Sequence, residues 1–147
     1  MYRILSVFLV SMGILGLLNC KKATESSTSI VGHWQGNAEV AKDGETVLTA
    51  SAHVSFSENG YTIENEGKTK AGEGTEECAV KVVSEGTYSV SAENITLTPS
   101  KESMEVCGQP IDTKLESDTY HISLEGDNLT LSQEEGGSKT ITTLKRQ

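Results

Sequence analysis

Residues 48–56 read LTASAHVSF, and every second side chain is apolar: Leu48, Ala50, Ala52, Val54 and Phe56. A strand turns successive side chains to opposite faces, so this period of two predicts a strand with one buried face. Thr49, Ser51, His53 and Ser55 fill the other face with residues that strands tolerate beside water. The same pattern extends in both directions. Upstream, GHWQGNAEV aligns Gly32, Trp34, Gly36, Ala38 and Val40. Downstream, the pairs Tyr61/Ile63, Val80/Val82, Tyr88/Val90 and Ile95/Leu97 alternate, as do Tyr120, Ile122 and Leu124, then Leu129 and Leu131, and lastly Ile141.

Turn signals separate these runs: Asp43-Gly44, Asn59-Gly60, Glu66-Gly67, Glu85-Gly86, Gly126-Asp127-Asn128 and Gly136-Gly137. After residue 20 no window of helical length carries an apolar stripe at helical spacing. The expectation is an all-β domain, an antiparallel up-and-down meander of about eight to ten strands. Closure into a barrel is expected because closure removes exposed strand edges.

The chain has 147 residues, which suits one domain, and a net charge of −9. The first nineteen residues hold one Arg and no acid, leaving −10 on the rest. That balance argues against a nucleic-acid partner, because no basic face would neutralise phosphates. The acids are dispersed rather than blocked, as expected of a solvated surface.

The N-terminus has a different character. Arg3 precedes an apolar run from Ile4 to Leu18, which ends in LLNC and is followed by the hydrophilic KKATESSTS. The run has the length of a signal-peptide core and falls short of the roughly 20 residues of a spanning helix. LLNC resembles the lipobox of bacterial lipoproteins, with Leu17 three positions before Cys20. Asn19 stands where the usual pattern has Gly or Ala, as in the looser lipoboxes of spirochaetes. The resemblance implies a signal peptide over 1–19, acylation of Cys20, a tether over 20–29 and a folded domain over 30–147. At about 0.8 kcal/mol per buried methylene, two or three acyl chains such as palmitate anchor a protein lastingly to a membrane. Lys21 and Lys22 lack the Asp that retains many such lipoproteins in the inner membrane, so the implied location is the cell envelope, at the outer membrane.

Cys78 and Cys107 remain. In an exported chain they are expected to pair, closing a loop of about thirty residues. A metal site is the alternative, but no histidine lies near either cysteine and no second pair exists to complete four ligands. No metal or other cofactor is expected.

Candidate catalytic groups are sparse. His33, His53 and His121 fall between inward positions and are expected to face outward, away from any shared pocket. Glu73, Glu76 and Glu77, like Glu134 and Glu135, sit in loop-like or strand contexts that separate neighbouring carboxylates. No twelve-residue calcium loop is present. The sequence therefore offers no catalytic residue, and no enzyme is expected.

The most distinctive internal motif is VGHWQG, residues 31–36, which holds the only Trp. Gly-x-Trp at the start of the first strand resembles the lipocalin superfamily, most nearly the bacterial lipocalin-like lipoprotein domains. GTYSVSAENITLTPS (86–100) and YHISLEGDNLTLSQEEGGSKTITTLKR (120–146) resemble hairpins of that group. The resemblance implies that Trp34 plugs one barrel end, that Gly32 gives the backbone room to turn, and that Lys145 or Arg146 stacks on the indole. The Thr-Asp-Tyr block of lipocalins proper is matched only loosely by SDTY, 117–120.

A lipocalin-like barrel implies a cavity for a small apolar ligand. The candidate lining is Gly36, Ala38, Ala50, Ala52, Val54, Tyr88 and Tyr120, because small inward residues leave space. A solid interior of Val, Ile and Leu is equally consistent with the pattern. In that case the expected role is a surface lipoprotein that binds extracellular proteins through its Thr- and Ser-rich exterior. An enzyme inhibitor acting through the Lys68–Glu77 loop is a further alternative.

Overall fold

A computed structural model describes residues 29–70 and 77–147. The expected signal peptide, Cys20, the expected tether as far as residue 28 and most of the Lys68–Glu77 segment lie outside the described residues. Nine strands follow in order: β1 (Gly32–Lys42), β2 (Glu45–Phe56), β3 (Tyr61–Lys70), β4 (Glu77–Ser91), β5 (Asn94–Val106), β6 (Gln109–Ile111), β7 (Asp118–Glu125), β8 (Asn128–Glu135) and β9 (Ser138–Arg146). All pair antiparallel, and β9 returns to pair with β1. Eight strands thus close an up-and-down barrel, while the three-residue β6 flanks β5.

Most turns stand where the sequence places them. Asp43 and Gly44 both have positive φ, 53° and 85°, between Lys42 and Glu45. Gly136 and Gly137 do the same between β8 and β9. Such paired left-handed residues twist in the same sense as the strands they join. Cys107-Gly108, φ 53° and 72°, makes a further turn of this kind into β6, which the apolar pattern does not reveal.

Two expected turns are not turns. Glu66-Gly67 lies inside β3, and Glu85-Gly86 lies inside the fifteen-residue β4. These glycines serve close approach instead. A Cβ on Gly67 would collide with Ala50, and one on Gly86 with the Thr98 carbonyl and Pro99 Cα. At Glu85/Gly86 the register against β5 also slips, an irregularity of the kind that bends a strand around a barrel.

The alternation of LTASAHVSF is kept: Ala50, Ala52, Val54 and Phe56 are buried and the residues between them are not. Trp34, Tyr61, Ile95, Leu97, Leu129 and Leu144 are buried in the same core cluster. In β9 the expected face is reversed. Thr142 and Leu144 are buried, and Thr142 pairs with inward Ala38, so Ile141 falls on the outer face.

The wall is uneven. β5 meets β7 only over Asn94–Leu97, opposite Asp118–His121. Beyond it, residues 112–117 approach β5 through single contacts: Thr98 Oγ1 lies 3.1 Å from Ser117 Oγ, and Thr113 Oγ1 donates to the Glu102 carbonyl at 3.4 Å.

Candidate functional site

One barrel end is sealed by side chains that the register brings together. Trp34 on β1 stands opposite Arg146 on β9. Trp34 points inward, is 1% exposed, and donates its indole N–H to the Ile30 carbonyl at 2.7 Å. The Arg146 guanidinium lies over the indole, 4.2 Å from the ring centroid. Its Nη1 donates to the Val31 carbonyl at 2.8 Å and its Nη2 to the Ser29 carbonyl at 2.6 Å. Asp127 adds a contact to Nε at 3.6 Å. A cation on an indole face, with its donors satisfied by carbonyls, is held in place with its hydrogen-bonding capacity met.

Gly32 has φ +140°, and a Cβ there would come within 2.9 Å of Arg146 Nη1, so the turn into β1 accommodates the guanidinium only because the position is glycine. Lys145, the other basic candidate, is exposed. Beside the plug, Phe56 and Tyr88 meet edge to face at 5.1 Å, and the Tyr88 hydroxyl donates to the Ser57 carbonyl at 2.7 Å.

Above the plug the barrel encloses a cavity of about 110 Å³. Of the expected lining, Ala38, Ala50, Val54 and Tyr120 border it. Gly36, Ala52 and Tyr88 do not. At Gly36 the space of the missing side chain is taken by the β9 backbone at Thr143 and Leu144. Ala52 is packed away at 0% exposure, and Tyr88 belongs to the plugged end.

The rest of the wall is mostly aliphatic, with Val40, Leu48, Ile63, Val80, Leu97 and Leu131 among its members. Polar groups enter from Asn65, Thr140 and Thr142. Asn65 Oδ1 is buried and has no hydrogen-bond partner among the described residues. The alternation Tyr61, Ile63 points to Asn65 as the next inward residue of β3, a signal masked by its polarity.

On the same inner face, Tyr61 and Ser84 hydrogen-bond through their hydroxyls at 3.0 Å. Burial, with the nearby Asp118 carboxylate, pushes the Tyr120 hydroxyl up to about 12. Burial raises the Glu102 carboxyl above its ordinary value, and Asp118 adds to the effect. Both Tyr120 and Glu102 are held toward their protonated forms by a shortage of water and an excess of negative charge.

His33, His53 and His121 are all exposed. Among the described residues, no group of three or more His, Cys, Asp or Glu side chains is placed to hold a metal ion. A wider depression of about 720 Å³, bordered by His33, Glu58 and Thr87, lies on the outside of the plugged end and opens broadly to solvent. At the far end a disulfide joins Cys78, at the start of β4, to Cys107 in the turn after β5, with Cα atoms 5.0 Å apart.

No curated protein matches the chain. The family model of the Lipocalin-like domain matches residues 30–131, a span that begins with the Ile30 carbonyl bonded to Trp34 and ends on cavity-lining Leu131. With that match over most of its length and a closed eight-stranded antiparallel barrel, the chain belongs to the lipocalin-like domain family.

Proposed function

We propose that this protein is a non-enzymatic envelope lipoprotein that holds a small apolar ligand inside its barrel. The observation that carries the reading is the mostly aliphatic interior cavity of about 110 Å³ above a sealed end. Apolar burial is the main source of affinity in such a site, and a few polar groups orient the occupant.

The anchoring part of the proposal rests on the apolar leader and Cys20, with acyl chains holding the domain at the outer membrane. Ser29 lies at the plugged end against Arg146, so the described chain enters the barrel from that end.

A second reading, a surface protein that binds extracellular partners around a nearly solid core, is favoured by the size of the cavity. Common ligand sites span roughly 300–1,000 Å³, well above the 110 Å³ here.

Native mass spectrometry of residues 21–147, secreted without the leader, separates the two. The ligand reading expects an added mass that survives gentle ionisation and leaves on denaturation. A bare chain that also fails to take up added toluene or benzyl alcohol would favour the surface-binding reading.

A further inference from the structure

The cavity is not uniformly apolar, and its one mismatch has a direction. Asn65 Oδ1 is an acceptor, it is buried, and nothing among the described residues donates to it. Asn65 sits on β3 opposite Ala52 of β2 and Val82 of β4, neither of which has a side-chain donor. A buried acceptor without a partner is costly to the folded protein, and a ligand donor placed against it removes that cost.

The nearby ionisable groups have a sign as well. Register puts Glu102 and Asp118 on the inner parity of β5 and β7, paired with Ser84 and Leu97; Glu102 is half-buried, Asp118 is exposed, and neither borders the cavity itself. Both carboxylates act on Tyr120, which borders the cavity. Arg146, an inward cation, is committed to Trp34 and two carbonyls at the plugged end. Lys42 stands exposed at the far rim, at the tip of the β1–β2 hairpin.

We propose that the cavity selects a compact apolar molecule bearing a hydrogen-bond donor, an alcohol or a protonated amine, and rejects the matching carboxylate. This rests on the ligand-binding reading above and names the chemistry that site takes. The donor binds Asn65 Oδ1 while the body of the ligand packs on Ala38, Ala50, Val54 and Leu131. A carboxylate entering the same space brings only acceptors to the Asn65 oxygen, lies near the Asp118 charge that already acts on Tyr120, and sheds hydration that the few hydroxyls of the wall do not fully replace. Size narrows the class further. An apolar cavity of roughly 150 Å³ holds benzene, so a space of 110 Å³ takes at most one ring, with the wall giving slightly, or a short branched chain, and not a long acyl tail.

The test is calorimetric titration of residues 21–147 with toluene, benzyl alcohol, benzylamine and benzoate at neutral pH. Benzyl alcohol and benzylamine are expected to bind about tenfold tighter than toluene, the worth of one satisfied hydrogen bond, with benzoate weakest of the four. Asn65→Leu should erase or reverse the preference for the alcohol over toluene. Asn65→Asp, which keeps the side-chain size, should strengthen benzylamine relative to benzyl alcohol.

Toluene binding as tightly as the alcohol, benzoate matching benzylamine, or a preference unchanged in Asn65→Leu would each overturn the proposal while leaving ligand binding intact. Failure of all four probes to bind would overturn the ligand-binding reading together with it.

Discussion

Arg146 shows how much one side chain can join. It covers Trp34, holds the backbone at Val31 and Ser29, and so ties the last strand to the segment before the first. Charge-assisted bonds to carbonyls contribute about 1.5 kcal/mol or more each and a part-buried cation–π contact about 1 kcal/mol, and they are not additive. Arg146→Ala is therefore expected to lower unfolding free energy by roughly 2–3 kcal/mol. Urea denaturation followed by the emission of Trp34, the only tryptophan, measures it directly. Arg146→Lys should recover only part of the loss, because an ammonium cannot lie flat on the ring while reaching two separate carbonyls. The pairing of Trp34 with a basic residue near the end of the chain is legible from motif and position. The choice between Lys145 and Arg146 is not, since it depends on which of two adjacent residues faces inward at the end of β9.

At the scale of the strands, β4 and β5 form the longest ladder, running from Ser91↔Asn94 to Val80↔Val106. The Cys78–Cys107 disulfide clamps its far end, where β5 has left β7. The bridge closes 29 residues of sequence separation, and its loop entropy contributes about 3.5 kcal/mol in the chain-entropy picture. Reduction should lower the denaturant midpoint by a corresponding amount, and Cys78→Ser/Cys107→Ser should match the reduced protein. Fraying is expected at β4–β6, so amide exchange there should quicken before exchange in β1 and β2 does.

Strand identity is well written in the sequence wherever small and apolar residues alternate. It is poorly written in β5 beyond Pro99 and in β6: SKESMEV is interrupted by charges, and QPI is too short to show a period. Gly67 and Gly86 mislead for a physical reason: a glycine demanded by the close approach of a neighbouring strand looks, in one dimension, like a glycine demanded by a turn.

For the whole molecule, the interior sets a pH limit on stability. Tyr120 has an ordinary value of 10.0 in the unfolded chain and about 12 in the folded barrel, chiefly through burial. Below pH 10 both states keep the proton and the group contributes no pH dependence. Between pH 10 and 12 the unfolded chain loses its proton first, so stability falls as pH rises, by about 2–3 kcal/mol in total for a shift of this size. Tyr120→Phe is expected to flatten that alkaline loss when urea midpoints are compared at pH 9 and pH 11.5. Tyr61 and Tyr88, also raised by burial, will keep part of it.

The sequence by itself determines the all-β class, the inner face of β1 and β2, most of the tight turns, the cysteine pair and the place of Trp34. Each of these follows from local chemistry: a period of two, left-handed glycines, a thiol count or a single large side chain. Only the tertiary structure decides that Gly36 closes space against β9 while Ala38 and Ala50 leave it open, that Arg146 rather than Lys145 covers the indole, and that a lone buried Asn65 oxygen lies within an aliphatic wall. Those outcomes depend on how near one strand comes to the next and on which groups converge across the barrel, distances that no reading along a single strand contains.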